Sequence, residues 1–349
     1  MNRPLFKYAC RYTPGDGVMT FSYRGRERVF ETKSPFNVAD ATSQCDGRTD
    51  FGQACRSAGI GAAESERLIE FLTQYQLVVD GETTLRADGL LSGAELFWRL
   101  ENLLLTWRTS PPKTVPNLDL DRSIAAGQAP ISVVKGLFLE IAHLLRSVPD
   151  ELACAVESAP QGPVQQAFME FYEEECNHGR ILTDALSSWF DGKKTIVESV
   201  PLPTTVARMH AYKGWARKDV LLYATALMRD ESSALDAEVH EEEDIYLGME
   251  RHYDIPSIVV EKYRWHANLD RQLEHGFFPL EIFGSVDVVS EQRVKQTVSV
   301  LQQIVELHEL FKWGVTQYYA NNSVDTRFDR SASIFGEAGA PVRLKATAS

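Results

Sequence analysis

The sequence predicts a mainly α-helical protein, in which a bundle of seven or eight helices follows a small α+β domain. From about residue 130 to residue 325, apolar residues recur with helical spacing between breaks at proline and glycine. Residues 4–31 instead hold short β-branched and aromatic runs separated by turn residues, which is the pattern of strands. A polar, Pro-rich stretch at residues 110–117 lies between the two patterns and predicts a linker.

These patterns divide the chain into four segments. We place the first domain at residues 1–90, a connecting helix and the linker at residues 91–117, and the bundle at residues 118–325. Residues 326–349 are small and polar, so we expect a disordered tail there. The predicted helices of the bundle are 130–146, 149–158, 162–190, 202–211, 216–233, 234–253, 256–274 and 288–321.

The small domain has the element order of a winged helix. Its strands are followed by three helices within residues 35–75. Leu77–Leu85 then has the pattern of a strand, a turn and a strand, with Asp80 and Gly81 at the tip of the turn. Winged helices often bind DNA, so the charge of this domain decides how the resemblance is interpreted.

Charge argues against nucleic acid as a partner. The net charge of the chain is -13, whereas phosphate binding needs clustered Lys and Arg. Residues 1–90 carry nearly equal numbers of basic and acidic residues. The third helix of the domain carries Glu64, Glu66 and Glu70 against Arg67 alone, so its face would repel phosphate.

Cysteine usage and hydropathy concern the cellular location. The five cysteines are odd in number and scattered, and they form no C-x-x-C motif, which indicates reduced thiols. The N-terminus has no apolar segment, and no run of about 18 apolar residues occurs anywhere. We therefore expect a cytoplasmic protein with no membrane partner.

The first stretch that carries chemistry is residues 168–182, with four glutamates and a histidine. Glu175 and His178 are three residues apart, and Glu174 and His178 are four apart, so either pair shares a helix face and can bind one metal ion. Adjacent carboxylates repel one another, and a bound cation would relieve that repulsion. The alternative is a solvated acidic face in which His178 pairs with a carboxylate.

The second stretch is the end of an apolar helix at Asp230 and Glu231. The helix before Arg229 is apolar nearly all round, which predicts burial. A buried carboxylate at its end needs a metal ion or an arginine as a partner, so either acid could be a ligand. The acidic run Glu238–Asp244 is richer in charge, but its charges run consecutively around a helix and predict a solvated face.

The third stretch lies on the next predicted helix. His266 and Asp270 are four residues apart and share a face, which Glu274 continues. His275 falls on the opposite side of an ideal helix, so it reaches the same centre only through a π-bulge or a loosened last turn. The alternatives are aromatic packing for His266 and a surface ion pair for Asp270.

Together, these stretches resemble the haem-oxygenase-like diiron oxidases and oxygenases, a family of seven-helix bundles. Its fold relatives include the thiaminase-II (TenA) proteins and the pyrroloquinoline-quinone synthases. The resemblance covers residues 125–320 and implies an enzyme that binds Fe(II), with two ions expected, and uses O2 as a co-substrate. The metal ligands that it implies are Glu175, His178, Glu231, His266, Asp270 and His275.

The chain departs from the family pattern at the last ligand. The family's H-x3-D-x2-H pattern requires a histidine where this chain has Leu273. Either His275 still binds, or Glu274 replaces it, or the second metal site is absent or labile. A further E-x-x-H motif, Glu140 and His143, matches no family position, and we expect it mainly in the core.

A second resemblance concerns the small domain. The stretch from Phe30 to Leu85, with Asp46-Gly47-Arg48-Thr49 in its middle, resembles winged-helix domains of ribosomal-peptide maturation enzymes. Those domains bind a leader peptide as a strand added to a sheet edge. The resemblance implies a precursor or carrier peptide as partner, and the alternative is a structural or dimerising appendage in a homodimer.

Three hypotheses follow. The leading one is an O2-dependent non-haem diiron oxidase or oxygenase that modifies or cleaves an amino-acid-derived substrate, free or peptide-borne, in natural-product biosynthesis. The second is a metal-free enzyme of the thiaminase-II or quinone-synthase type, with Cys154 or Cys176 as the available nucleophile. The third is a regulator whose small domain binds DNA or a protein partner while the bundle binds a ligand. Metal content separates the first hypothesis from the second.

Overall fold

The computed structural model describes residues 1–109, 119–190, 193–231 and 245–327. The strands are β1 (Pro4–Phe6), β2 (Arg11–Pro14), β3 (Val18–Tyr23), β4 (Arg26–Glu31) and β5 (Val78–Asp80). The helices are α1 (Pro35–Ser43), α2 (Phe51–Ser57), α3 (Ala62–Gln74), α4 (Gly81–Thr84), α5 (Gly93–Thr109), α6 (Leu120–Ala125), α7 (Ile131–Ser158), α8 (Pro163–Glu175), α9 (His178–Leu186), α10 (Lys193–Glu198), α11 (Pro203–Lys218), α12 (Val220–Asp230), α13 (Ile245–His252), α14 (Ser257–Gln272), α15 (Phe278–Gly284) and α16 (Glu291–Tyr319). The predicted class, mainly helical with a small N-terminal sheet region, is confirmed. None of these helices is both long enough and apolar enough to span a bilayer.

Several helix ends differ from the predicted ones, because capping hydrogen bonds and packing outweigh the helix-breaking tendency of individual residues. Helix α7 continues through Pro149, where we expected a break; burial on both sides of the proline outweighs the one lost backbone hydrogen bond. The predicted helix 162–190 is divided into α8 and α9 by Cys176 and Asn177. Helix α12 begins after Asp219, because that side chain accepts a hydrogen bond from Leu221 N at the cap.

Within residues 1–109, the β-ribbon that the predicted winged helix requires after its three helices does not form. Strands β2, β3 and β4 form an antiparallel sheet in that order, and β1 pairs with β5. Of the strand–turn–strand predicted at Leu77–Leu85, the first strand is observed as β5, but the second is wrong because β5 leads directly into the helical turn α4. Asp80 caps α4 by accepting from Glu82 N. A side chain at Gly81 would lie 2.2 Å from Gly47 Cα, so this crossing requires glycine.

The bundle is assembled around α7, which packs against α8, α9, α11 and α16. Two buried apolar clusters fill it, one around Leu221 and Phe168 and the other around Phe138 and Leu186. Helix α9 approaches α7 closely, since a side chain at Gly179 would lie 2.7 Å from the Leu145 carbonyl oxygen. The position next to His178 is therefore fixed by direct helix–helix contact.

A buried charge cluster joins the N-terminal sheet to α5. Arg24 Nη1 lies 3.1 Å from Glu101 Oε1, and both side chains are almost fully buried. The Tyr23 hydroxyl donates to the same Glu101 oxygen at 2.5 Å. Lys7 Nζ lies 4.3 Å from the centre of the Trp98 ring, and burial lowers the pKa of Lys7 to about 8. The sheet is thus attached to α5 by buried charged groups that stabilise one another.

Parts of some predictions lie outside the described residues. These are the Pro-rich linker at 110–117, the acidic run at 238–244 and most of the predicted tail at 326–349. Arg327, at the start of that tail, ends a short 3-10 helix and donates a hydrogen bond to the Val200 carbonyl oxygen at 2.9 Å.

Candidate metal centre

Four side chains from α8, α9 and α14 converge on one point of the bundle. These are Glu175, His178, His266 and Asp270, and one potential ligand atom of each lies within 4.8 Å of all the others. We refer to these four residues as the central cluster. Two carboxylates and two imidazoles form a donor set that suits a divalent transition metal.

The first half of the central cluster lies at the junction of α8 and α9. Glu175 is the last residue of α8 and His178 is the first of α9, and both are buried. His178 Nδ1 lies 2.8 Å from Glu175 Oε2. The expected pair three residues apart therefore forms, although the helix changes direction between its members.

The second half belongs to α14. His266 Nδ1 lies 3.1 Å from Asp270 Oδ2, as expected for residues one helical turn apart. The rings of His266 and His178 meet edge to face, with their centres 4.7 Å apart. Both His266 and Asp270 keep only a small exposed fraction, so the solvated and purely aromatic alternatives do not describe their surroundings.

His275 reaches the same centre because α14 ends before it. The helix stops at Gln272, Glu274 adopts a left-handed conformation with φ 56°, and His275 begins a 3-10 turn. Its Nδ1 then lies 3.3 Å from Glu175 Oε1 and 3.5 Å from Asp270 Oδ1. The side chain is 2% exposed. Of the routes left open by the sequence, the loosened last turn is the one observed.

Glu274, in contrast, is exposed and is not brought to the central cluster. Leu273, where an H-x3-D-x2-H pattern would place a histidine, is 41% exposed. His275 is the residue of this segment that is buried against Glu175. Among the three alternatives for the last position, the geometry therefore favours His275.

The two acids that end α12 have different surroundings. Asp230 accepts two hydrogen bonds of 2.6 Å from Arg208 Nη2 and one of 2.6 Å from the Tyr212 hydroxyl. Glu231 faces the negative charges of Asp270 and Glu175, and burial together with those charges raises its pKa well above the usual value. Asp230 already has its partners, so Glu231 is the acid left to interact with the cluster, although its carboxylate is not among the four groups that converge.

Burial and neighbouring charge also move the pKa values of the other members. Burial lowers the pKa of His266, but the hydrogen bond and the charge of Asp270 outweigh burial, so the pKa is raised overall. The pKa of His275 is raised in the same way, by Asp270, Glu175 and Glu174 against its burial. Burial raises the pKa of Asp270, and the two histidines outweigh that effect and lower it. The buried acids and the imidazoles therefore stabilise one another's charged forms.

Three buried atoms at the centre make no hydrogen bond of acceptable geometry, although His275 Nδ1 lies 3.5 Å from Asp270 Oδ1. They are His266 Nε2, Asp270 Oδ1 and His275 Nδ1. Leaving such atoms unsatisfied costs about 1–3 kcal/mol each. Imidazole nitrogens and carboxylate oxygens directed at one point, together with a surplus of buried acid, are what a bound divalent cation would satisfy. The residues present therefore fit a metal ion.

The second E-x-x-H motif belongs to the core, as expected. Glu140 accepts hydrogen bonds from Leu202 N, Thr205 Oγ1 and the Tyr319 hydroxyl. His143 Nε2 lies 2.9 Å from Ser199 Oγ. Both side chains are therefore satisfied by partners that do not belong to the central cluster.

The thiols offered by the metal-free hypothesis have no base beside them in the contacts described. Cys154 is buried. Cys176 Sγ donates to the Glu173 carbonyl oxygen and accepts from Asn177 Nδ2. A nucleophilic cysteine needs a nearby positive charge or base to form its thiolate.

Sequence reasoning missed two residues that define the site. Arg208 and Tyr212 are one turn apart on α11 and together hold Asp230. The signal was available in part, because a buried acid at the end of α12 requires a metal or an arginine. Which of the two acids would take the arginine depended on how α11 packs against α12, and that is a tertiary contact.

Comparisons with known proteins establish the fold. No family model and no curated protein matches this chain. It is similar to the crystal structure of a domain of unknown function with a heme oxygenase-like fold from Shewanella denitrificans, at 14% identity and a TM-score of 0.52, covering 66% of this chain and 96% of that one. It is also similar to a TenA homolog from Pseudomonas syringae pv. tomato, at 13% identity and a TM-score of 0.52, covering 67% and 97%. The chain therefore has a heme oxygenase-like, TenA-like fold.

Proposed function

We propose that this protein is an O2-dependent non-haem iron oxidase or oxygenase. The observation that supports this most directly is the convergence of the four central-cluster side chains, with His275 Nδ1 3.3 Å from Glu175 and three buried atoms that make no hydrogen bond. Fold alone does not specify chemistry, so the proposal rests on these side chains. Mixed carboxylate and imidazole donors are the ligands that non-haem iron takes in helical bundles.

The residues that would hold iron are the central cluster, His275 and Glu231, and the number of donors suits two ions. Ferrous iron held there would supply the binding and reduction of O2. Glu174 orients His275, because its Oε2 lies 3.0 Å from His275 Nε2 and leaves Nδ1 facing the cluster. Arg208 and Tyr212 hold Asp230 and so set the end of α12 that carries Glu231.

The surroundings of the site support an organic substrate with an apolar part. Trp265 is 39% exposed, and its ring centre lies 6.0 Å from that of His178. Phe171 packs against His275 at 4.9 Å between ring centres. These aromatic side chains exclude water from one side of the cluster and offer an apolar contact on another. An amino-acid-derived substrate, oxidatively modified or cleaved, is the class we propose.

We extend the proposal to a substrate borne on a precursor or carrier peptide, in natural-product biosynthesis. In the described part of the chain, β4 pairs with β3 along one edge and with no strand along the other. An unpaired strand edge can accept a peptide as an additional strand. Helix α3 lies beside this edge, where Arg67 Nη2 donates to the Glu31 carbonyl oxygen at 3.3 Å.

Iron binding and oxidation test the proposed reaction class. Full-length protein would be titrated anaerobically with Fe(II), analysed for bound iron, and then mixed with O2 while the visible spectrum is followed. We expect bound iron and a change in absorbance for the wild type, and loss of both for His178→Ala and His266→Ala. Exposed His210 supplies the matched control, since His210→Ala should behave as the wild type.

Wild-type protein that takes up no iron would refute the reaction class. So would cluster variants that bind and oxidise iron as well as the control does. The peptide extension needs a separate test, in which a short peptide encoded beside this protein's gene is titrated into the full-length chain by calorimetry. Binding that persists when the N-terminal half of the peptide is removed would exclude leader recognition while leaving the iron chemistry intact.

A further inference from the structure

Tyr212 is a buried phenol beside the proposed iron site. Its hydroxyl donates to Asp230 Oδ2 at 2.6 Å, and its side chain is 4% exposed. Asp230 is the chain neighbour of Glu231, which interacts electrostatically with Asp270 and Glu175 of the central cluster. An oxidisable side chain with its own proton acceptor therefore lies one residue away from a proposed ligand.

A row of aromatic side chains runs through Tyr212. The ring of Tyr223 lies 6.2 Å from that of Tyr212, and the ring of Trp215 lies 5.7 Å from it, measured between centres. Tyr223 is fully buried and interacts electrostatically with Glu231. Trp215 is only partly buried, so it connects the row to solvent. Neighbouring phenol and indole rings at such spacings can exchange single electrons.

We propose that Tyr212 is a redox-active residue that donates one electron to the metal centre after O2 has oxidised it; this rests on the proposed function. The O–H bond of Tyr212 breaks, its proton moves along the hydrogen bond to Asp230 Oδ2, and the electron passes by way of Tyr223 to the centre. The phenol becomes a neutral phenoxyl radical, and the centre is reduced by one electron. O2 is the oxidant.

The return step uses Trp215. A small reductant at the surface, such as a thiol or ascorbate, supplies one electron through Trp215, and the proton returns from Asp230 to the phenoxyl oxygen. Tyr212 is then ready for another cycle. The residue would supply an electron when the substrate does not, which protects the buried imidazoles and aromatic rings around the centre from oxidation.

The geometry of Asp230 suits this role. Oxidising a buried phenol without removing its proton would leave a cation in the apolar core, which is costly. Asp230 is held in place by two hydrogen bonds from Arg208, so the proton acceptor is already oriented and does not have to move.

Electron paramagnetic resonance tests the proposal directly. Full-length protein loaded anaerobically with Fe(II) would be mixed with O2, without substrate, and frozen at successive times. We expect a radical signal that narrows when the protein is grown with ring-deuterated tyrosine. Tyr212→Phe should abolish that signal when the signal is expressed per bound and oxidised iron, which is measured for each variant.

Tyr319→Phe is the matched control. The Tyr319 hydroxyl also donates to a buried carboxylate, Glu140 Oε1, at 2.7 Å. The charged neighbours of Tyr319 are Glu140 and Arg327, not members of the central cluster. The radical should therefore form in Tyr319→Phe as in the wild type.

The outcomes separate this inference from the proposed function. Iron that is oxidised without a tyrosine radical, or a radical that survives in Tyr212→Phe, overturns the inference alone. Protein that binds no iron overturns both. Should Tyr212→Phe misfold, Tyr223→Phe is the second variant, and it should slow radical formation. When ascorbate is added after O2, Trp215→Phe should lengthen the radical's lifetime relative to the wild type, and an unchanged lifetime would overturn the return route.

Discussion

Glu174 Oε2 and His275 Nε2 lie 3.0 Å apart, although 101 positions separate the two residues in the chain. This contact fixes which imidazole nitrogen of His275 faces Glu174 and which faces Glu175 and Asp270. It also explains how a histidine that would fall on the opposite side of an ideal helix can still reach the site. The turn at Glu274 ends α14 and redirects the chain towards α8.

Replacing His275 should therefore weaken iron binding, whereas replacing Glu274 should not. We expect His275→Ala to lower the affinity for Fe(II) by at least about 10–100-fold, the range seen when outer partners of metal ligands are lost. Glu274→Ala is the matched control from the same turn, because Glu274 is exposed. Iron content after dialysis at a series of Fe(II) concentrations gives both affinities. The reverse order, with Glu274 mattering and His275 not, would contradict the geometry.

The buried charge cluster at α5 should be essential for stability. Glu101→Ala leaves Arg24 and Lys7 in the core without this carboxylate, and we expect a loss of about 3–5 kcal/mol in the free energy of unfolding. Glu291→Ala removes an exposed partner of Lys295 and should cost at most about 1 kcal/mol. Urea unfolding of both variants measures the difference. Equal losses in the two variants would show that the junction does not depend on this carboxylate.

His143 should make the protein less stable in mild acid. Burial lowers the pKa of His143 from 6.5 to about 4, with the charges of Arg146 and Arg327 acting in the same direction. The unfolded chain therefore binds this proton more readily than the folded protein does. The stability associated with neutral His143 is fully present above pH 6.5 and is lost as the pH falls towards 4. The full effect is about 3 kcal/mol at most.

His143→Gln should remove that part of the acid sensitivity. The free energies of unfolding are compared at about pH 7.5, above the window, and at about pH 4.5, near its lower end. Their difference gives the acid sensitivity of each variant. His210→Gln changes an exposed histidine and should leave the slope as in the wild type. A slope that is the same in His143→Gln and in the wild type would contradict the neutral, buried state of His143.

Glu151 should act in the opposite direction. Burial raises the pKa of Glu151 from 4.5 to about 7, in spite of the hydrogen bond from Ser147 Oγ at 2.6 Å. The folded state binds this proton more readily than the unfolded chain does. The stability contributed by protonated Glu151 is therefore present below pH 4.5 and is lost as the pH rises through 7. Glu151→Gln stays neutral at every pH.

We therefore expect Glu151→Gln to gain stability relative to the wild type as the pH rises, by about 2–3 kcal/mol between the two ends of this window. Glu157→Gln, on the same helix and exposed, should show no such gain. Unfolding free energies across the window test this. A Glu151→Gln variant that loses stability with rising pH as the wild type does would show that Glu151 is ionised when folded.

Local patterns in the chain determined the helical class, the small N-terminal sheet region and two carboxylate–histidine pairs. Spacings of three and four residues bring side chains together on one helix wherever the helix forms, so Glu175 with His178 and His266 with Asp270 were predictable. The core placement of Glu140 was predictable for a similar reason, because its helix is apolar on the same face.

Only the tertiary structure decided the remaining members of the site. Whether Asp230 or Glu231 faces the cluster depends on where α11 places Arg208, and whether His275 returns to it depends on a left-handed residue that ends α14. The predicted second strand after Asp80 failed because Gly81 crosses Gly47, a contact between distant parts of the chain. Sequence patterns report neighbours along one element, whereas the partner of a buried charge is selected by the packing of elements against each other.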